Sequence, residues 1–212
     1  MTPAPTATSH AGPRIGVLAL QGDVAEHMAM LDRVGADPVA VKHPQQLGDL
    51  VGLVIPGGES TTIGKLLRLF DLLDPLKARI SDGMGVFGTC AGAILLASEA
   101  THHDGSPTTQ PLLGAMDITV RRNAFGRQVD SFEADVPIRG IAGPPMKAVF
   151  IRAPAVERVG PHVEVLGTVG DTIVVCRQGR LLASSFHPEL TDDPRLHELF
   201  VEMVNPRGAS PP

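Results

Sequence analysis

The first hundred residues alternate short, continuous apolar runs with segments of helical periodicity. Apolar runs at residues 15–20, 38–41, 53–55 and 86–87 are typical of strands covered on both faces. Helices are predicted at residues 23–34, at about 75–81, and from an N-cap at Ser60 or Thr61 through Phe70. This alternation restricts the chain to an α/β fold, a mostly parallel central sheet flanked by helices on both faces.

The second half of the chain has a different pattern. Strands are predicted at residues 117–121, 129–138, 148–151, 163–169, 172–177 and 181–186, and hairpin-type turns at 169–172 and 177–180 indicate extra antiparallel strands. A last helix is predicted at about 194–204, and residues 101–111 form a polar loop. We therefore predict a single domain at residues 14–205, with flexible tails at residues 1–13 and 206–212.

Composition limits the partners and the compartment. The net charge of −5 includes no block of like charge, which argues against nucleic acid or an anionic membrane as the main partner. No apolar stretch is long enough to cross a membrane, and the N-terminus lacks the apolar core of a signal peptide. Only two cysteines occur, so we expect a reducing compartment, the cytoplasm.

Cys90 lies in the glycine-framed segment GTCAG, between the apolar run at 86–87 and the apolar segment at 93–97. A strand, a sharp turn with one reactive side chain and a helix form the pattern of a nucleophile elbow. The N-terminus of a helix favours a thiolate over a thiol. The other interpretation is a small buried residue. The context favours a nucleophile for acyl transfer.

His187 is the histidine best placed to act as the base. It ends the apolar run at 181–186 and precedes Pro188 and Glu189. Pro188 favours an extended conformation at His187, from which Glu189 would project to the same side and contact the imidazole. A carboxylate there would fix the tautomer and stabilise the imidazolium. The alternative is a histidine at a strand end beside a solvated glutamate.

The loop PGGES at residues 56–60 follows the third predicted strand, and ligands of open α/β sheets bind at the carboxyl ends of strands. The N–H groups of Gly58 and Ala91 could stabilise a developing oxyanion. Arg122 and Arg152 are suited to a substrate carboxylate. Each of these features alone has a structural explanation. Residues 56–60 could form a Pro-Gly turn, Arg122 could lie in a solvated loop, and Arg152 could simply end a strand.

Three further features are less specific. Gln21, after the first strand, could orient backbone near the site or could simply start a helix. His102, His103 and Asp104 are predicted to form a solvated loop, so no metal site is expected. Cys176 lies in an apolar run and is predicted to be a core residue.

The combination of GTCAG and HPE resembles the class I, triad glutamine amidotransferases. The resemblance extends to the glutaminase subunits of pyridoxal 5'-phosphate synthase. The matching blocks lie in order from about residue 15 to residue 204: IGVLALQG with Glu26 and His27, PGGESTT, RNAFGRQ, SFE, FIRAP and SFHPELT. The departures from this pattern are the long N-terminal tail and the loop at 102–111.

The resemblance implies a flavodoxin-like fold and hydrolysis of L-glutamine to L-glutamate and ammonia, with no cofactor. It implies ammonia transfer to a synthase subunit within a large hetero-oligomer, a double ring of synthase subunits with glutaminases attached. It also implies a role for Gln21 in the response to docking. The implied catalytic triad is Cys90, His187 and Glu189, and the implied glutamine contacts are Gly58, Glu59, Ser60, Arg122, Ile151 and Arg152.

Three alternatives stay open at the level of sequence. One is the glutaminase of another amidotransferase, such as imidazole glycerol phosphate synthase, against which PGGES and RNAFGRQ argue. Another is a catalytically silent glutamine-binding subunit, against which the intact Cys90, His187 and Glu189 argue. A cysteine peptidase with the same fold is the third.

Overall fold

The computed structural model describes residues 12–124 and 131–205. Most of the predicted N-terminal tail, the whole predicted C-terminal tail and the FGRQ part of the RNAFGRQ block lie outside these residues. The helices are α1 Val24–Arg33, α2 Ser60–Leu69, α3 Leu73–Ser81, α4 Ala91–Leu96 and α5 Arg195–Val204. The strands are β1 Arg14–Leu18, β2 Asp37–Val41, β3 Gly52–Ile55, β4 Gly85–Thr89, β5 Ala97–Thr101, β6 Met116–Arg121, β7 Ser131–Val136, β8 Met146–Ile151, β9 Ala155–Val159, β10 Glu164–Val169, β11 Thr172–Gln178 and β12 Leu181–Ser184.

The central sheet of the described residues has ten strands. Its path is β2-β1-β3-β4-β12-β11-β9-β6-β5, and β10 pairs with β11. The five strands from β2 to β12 are parallel, which is the order of a flavodoxin-like sheet. The next three pairings along the path, β12–β11, β11–β9 and β9–β6, are antiparallel, and β6 and β5 are again parallel. Strands β7 and β8 form a separate antiparallel hairpin.

Apolar side chains cover both faces of the parallel sheet. On one face Leu67, Leu76 and Leu95, from α2, α3 and α4, lie in one buried cluster. On the other face Leu31 of α1 and Phe200 of α5 lie in a second cluster, with side chains of the β7–β8 hairpin. The predicted α/β fold is confirmed, with helices on both faces and antiparallel strands added after the first hundred residues.

Several details differ from the predictions. Strands β5 and β9 were not predicted, because β5 reads ASEAT and β9 carries Glu157 and Arg158 in its middle, so neither is a clear apolar run. The predicted N-cap of α2 at Ser60 or Thr61 is wrong. The cap is Glu59, whose carboxylate accepts a hydrogen bond from the Thr62 N–H at 2.7 Å. Cys176 is a core residue, as predicted, and burial raises the pKa of its thiol to about 12.

Among residues 12–124 and 131–205, none of the helices combines the length and the apolar character that crossing a bilayer requires.

Candidate active site

Cys90 lies at the sharp turn between β4 and α4. Its backbone has φ 48° and ψ −102°, a conformation that residues other than glycine rarely adopt. Its N–H donates to the carbonyl of Ser184 in β12 at 2.8 Å. The flanking glycines are required by close approach: a Cβ on Gly88 would collide with the backbone of Gly92, and a Cβ on Gly92 would collide with the carbonyl of Ile55. The local chain therefore has the geometry of a nucleophile elbow.

His187 follows β12, the strand beside β4, which places it next to Cys90. Its Nδ1 lies 2.8 Å from Oε1 of Glu189. The predicted contact is present, but the predicted extended conformation is wrong. Residues Pro188–Leu190 form a single 3-10 turn, and this turn carries the Glu189 carboxylate back to the imidazole.

Neighbouring groups shift the pKa values of both His187 and Glu189. Burial lowers the pKa of His187, but the hydrogen bonds and charges of Cys90 and Glu189 outweigh burial and raise that pKa to about 10. Burial raises the pKa of Glu189, and the hydrogen bond and charge of His187 offset part of this rise. The imidazole is therefore held between the Cys90 sulfur on one side and a buried carboxyl on the other.

A cavity of about 360 Å³ opens beside the Cys90 thiol, at the carboxyl ends of β1, β3 and β4. This volume suits a ligand the size of an amino acid. Its lining includes every predicted site residue except the buried Glu189. The lining residues are Gln21, Asp23, Gly58, Glu59, Ser60, Cys90, Ala91, Ile94, Arg122, Asn123, Ile151, Arg152 and His187.

The cavity contains both signs of charge. The Arg122 guanidinium donates to Oε1 of Glu59 at 2.9 Å. Burial raises the pKa of Glu59, but hydrogen bonds from Thr62 outweigh burial and, with the charge of Arg122, hold that pKa below its usual range. Because a guanidinium has five donors, Arg122 can bind Glu59 and a second carboxylate together.

The PGGES loop is fixed by two side-chain contacts. Oε1 of Gln21 accepts a hydrogen bond from the Glu59 N–H at 2.8 Å and lies against Gly58. The imidazole of His187 packs on Gly57, where a Cβ would collide with the ring. The loop therefore touches both Gln21 and the proposed base.

Backbone strain is concentrated around the cavity. Of the four non-glycine residues with positive φ in the described part of the chain, Cys90, Asn123 and Arg152 line the cavity. Unfavourable backbone conformations of this kind persist where surrounding structure enforces them, and they are typical of functional sites.

Sequence reasoning missed three residues near the site. Asp23 places Oδ2 3.3 Å from Nδ1 of His187, and Ile94 and Asn123 line the cavity. Asp23 directly follows Gln21 and Gly22, so its position near the carboxyl end of β1 could have indicated that it lies at the site. Ile94 lies within α4, and Asn123 is the second residue after β6.

The donor set around His187 is also the one most suited to a cation among residues 12–124 and 131–205. Ligand atoms of Asp23, His187 and Glu189 lie within 4.8 Å of one another. An ion bound to Nδ1 would replace the hydrogen bond to Glu189. His102, His103 and Asp104 are not part of this group, and Asp104 instead accepts hydrogen bonds from the N–H and hydroxyl of Ser106.

The chain matches the model of the SNO glutamine amidotransferase family over residues 17–206. It belongs to this family. It is 60% identical over 198 residues to a pyridoxal 5'-phosphate synthase subunit PdxT of Frankia casuarinae, covering 93% of this chain and 98% of the relative. It is 59% identical over 199 residues to the protein of the same name of Rhodococcus jostii, covering 91% and 97%. The predicted resemblance is thus confirmed, and the chain is a glutamine amidotransferase.

Solved structures agree with this assignment. A crystal structure of a glutamine amidotransferase is 50% identical, with a TM-score of 0.83, over 90% of this chain and 98% of its own. A glutamine amidotransferase from Thermotoga maritima has a TM-score of 0.59 at 12% identity, over 91% of both chains, and this likeness supports the fold alone.

Proposed function

We propose that this family member hydrolyses L-glutamine to L-glutamate and ammonia at Cys90, and that the ammonia passes to a synthase subunit that makes pyridoxal 5'-phosphate. The observation that carries the proposal is that Cys90 and His187 line the same amino-acid-sized cavity while Glu189 lies 2.8 Å from Nδ1 of His187. The relatives from Frankia and Rhodococcus are named as subunits of pyridoxal 5'-phosphate synthase, and these names support both the pathway and the synthase partner in the proposal.

In the proposed reaction the Cys90 sulfur attacks the side-chain amide carbon of glutamine. His187 donates its proton to the departing ammonia, and a γ-glutamyl thioester remains on Cys90. His187 then takes a proton from water, whose oxygen attacks the thioester and releases glutamate. Glu189 holds the imidazole in the orientation that both transfers need, because its carboxylate accepts from Nδ1.

The tetrahedral intermediate carries a negative oxygen that needs donors. Ala91 is the first residue of α4, so its N–H has no partner within the helix. Gly58 lines the same cavity from the PGGES loop. We assign the oxyanion to these two N–H groups, each worth about 3 kcal/mol in the transition state. Gln21 supports the loop and is the residue through which docking of a partner would act.

The charges of the cavity complement the amino-acid end of glutamine. Arg122 and Arg152 would bind the α-carboxylate, and Glu59 would face the α-ammonium group. Gly58, Ser60 and Ile151 complete the walls. The Ser60 hydroxyl donates to Oε1 of Gln110 at 3.0 Å, which fixes this wall.

Two apolar side chains beside the site are exposed and suit a partner surface. Ile151 lines the cavity and Leu190 follows Glu189 directly, with 38% and 43% of their surfaces exposed. We infer that the synthase subunit docks over this mouth and receives ammonia there, in the hetero-oligomeric double ring that the resemblance implies. The nucleophile must be a free thiol, which supports a reducing compartment, the cytoplasm.

The test is glutamine hydrolysis by the chain alone and with its cognate synthase subunit. We expect stimulation by the subunit, and an activity that falls at least about 10³-fold in Cys90→Ala. Cys176→Ala is the matched control, because Cys176 is the other cysteine and lies in the core. Ammonia release that Cys90→Ala leaves unchanged would overturn the nucleophile. Glutamine binding without hydrolysis by the complex would favour the silent subunit.

The cavity charges have their own test. Arg122→Ala should raise the KM for glutamine about tenfold with a smaller change in kcat, because the arginine would bind substrate and transition state alike. Arg121→Ala is a neighbouring control, since Arg121 instead contacts Glu157 at 3.0 Å. An unaltered KM in Arg122→Ala would remove Arg122 from the glutamine site.

A further inference from the structure

The two carboxylate oxygens of Glu189 face two different histidines. Oε1 lies 2.8 Å from Nδ1 of His187, on the side of the cavity. Oε2 lies 3.3 Å from Nε2 of His27, on the side of the core. The side chains of both Glu189 and His27 are fully buried, so water does not compete for Oε2.

His27 belongs to a buried polar group that reaches across the domain. Its Nε2 also lies 3.1 Å from the Thr89 hydroxyl, in the residue before Cys90. Its Nδ1 lies 2.9 Å from Nε2 of His197, a residue 170 positions away. His27 is on the buried face of α1 and His197 is on the buried face of α5, and both have no exposed surface. The group therefore connects Glu189 to two helices that pack on the same face of the sheet.

Counting protons assigns the tautomers of this pair. Nδ1 of His197 has no partner among residues 12–124 and 131–205. A buried N–H without a partner is rarer than a buried acceptor without one, so this nitrogen carries the lone pair. Nε2 of His197 is then protonated and donates to Nδ1 of His27. Nε2 of His27 must carry the proton, which points toward Thr89 and Oε2 of Glu189.

Oε2 needs this proton. It has no aligned hydrogen-bond donor in the described part of the chain, and Nε2 of His27 is the nitrogen that faces it. A small rotation of the His27 ring from Thr89 toward Oε2 supplies a donor to a buried carboxylate that would otherwise have none on this side.

We propose that His27, with its tautomer fixed by His197, is a positioning residue for glutamine hydrolysis: it donates to Oε2 of Glu189, keeps Glu189 ionised and aims Oε1 at His187. The inference rests on the proposed function of the site. His27 does not line the cavity, so it acts on the reaction through Glu189 and His187.

In the part of the chain that the structure describes, few other charged or titratable groups face Glu189. Asp23 and His187 approach it from the cavity side, and the charge of Asp23 opposes its ionisation. On the core side His27 faces His197 and the apolar ring of Phe87. Burial and the two neighbouring histidines hold the pKa of His27 well below its usual range, so the ring is neutral and acts as a hydrogen-bond donor.

The experiment compares His27→Phe with His27→Gln in the complex with the synthase subunit, with kcat and KM for glutamine measured across pH. His27→Phe fills a similar volume without a donor. It should lower kcat on the order of tenfold, leave KM unchanged, and shift the acid limb of the kcat profile to higher pH, because Glu189 protonates more readily. His27→Gln restores an N–H donor and should recover most of the activity and the wild-type acid limb.

The outcomes separate the two proposals. A wild-type complex that does not hydrolyse glutamine would overturn the proposed function. An active wild type with a His27→Phe profile of unchanged shape, whatever its thermal stability, would overturn the positioning role and leave His27 as a core residue. Nitrogen NMR of the histidine rings gives a readout independent of activity. A protonated Nδ1 on His27 would contradict the assigned tautomer even if His27→Phe is inactive.

Discussion

Buried histidines lie on opposite sides of Glu189, and their surroundings shift the pKa values of His187 and His197 in opposite directions. On the cavity side, the pKa of His187 rises to about 10. On the core side, burial lowers the pKa of His197 to about 3. Burial disfavours the cation in both places. The difference comes from the neighbours, since His187 contacts a thiol and a carboxylate, whereas His197 contacts His27 and the Phe87 ring.

The comparison shows how one domain can hold both a proton carrier and a fixed neutral donor. Between the Cys90 sulfur and the Glu189 carboxylate, the His187 imidazole keeps its proton, which the proposed reaction then uses. Beside the neutral ring of His27, the His197 imidazole instead stays neutral and packs in the core with a defined tautomer. Glu189 is the residue that the two environments share.

The largest expected effect comes from removing the shared charge. Glu189→Gln keeps the size of the side chain and an acceptor for Nδ1 of His187, but the charge that raises the pKa of His187 is lost. We expect kcat for glutamine to fall about 10³-fold or more, and the His187 pKa, followed by NMR titration, to fall with it. Glu157→Gln, in the half-exposed pair with Arg121, is the control. Retention of activity within about tenfold would contradict the proposed role of Glu189.

A second change disturbs the cavity side alone. Gly57→Ala places a methyl group where the His187 ring packs, so the ring must shift away from Cys90 or Glu189. We expect kcat/KM for glutamine to fall about 10²-fold, the effect of displacing a catalytic group by about 1 Å. Gly48→Ala is the matched control, because a Cβ there meets nothing within 4 Å and its backbone is helical. Equal activity of the two variants would show that His187 tolerates the displacement.

The third change tests the core side through stability. The pKa of His197 is about 3 in the folded chain and near its ordinary 6.5 in the unfolded chain. Between these values the unfolded chain binds the additional proton, so the free energy of unfolding decreases as the pH falls. His197→Phe should flatten this dependence by up to about 1.4 kcal/mol per pH unit.

Urea unfolding of wild type and His197→Phe at about pH 5, 6 and 7 measures this slope. The exposed His162, changed to Phe, should leave the wild-type slope unaltered. Parallel slopes in wild type and His197→Phe would mean that His197 is not held neutral by burial.

The cavity side could be predicted from sequence and the core side could not, for a physical reason. Cys90 sits in a glycine frame between a strand and a helix, and Glu189 is two residues from His187, so short segments carry the pattern. His27 and His197 are 170 positions apart, and their contact depends on α1 and α5 packing on one face. The sequence shows only a histidine on each helix, which is compatible with many surroundings.

The fold shows the same division. Parallel strands covered on both faces are continuous apolar runs, and β1, β3 and β4 were predicted close to their bounds. Strands β5 and β9 depend on pairing with β6 more than on their own residues. The Glu59 cap of α2 was missed because Ser60 and Thr61 are favoured N-cap residues and glutamate is not. The position of the cap depends instead on the loop that Gln21 and Arg122 hold.

At position 90 the proposed reaction requires a cysteine, whereas the positive φ of the backbone favours glycine. A left-handed backbone at a residue other than glycine costs of order 1–3 kcal/mol. Glycine at position 90 would relieve this cost but carries no sulfur. Selection for a more stable domain would therefore favour loss of the proposed nucleophile, and we expect a screen of this chain for thermal stability alone to enrich variants that lack Cys90.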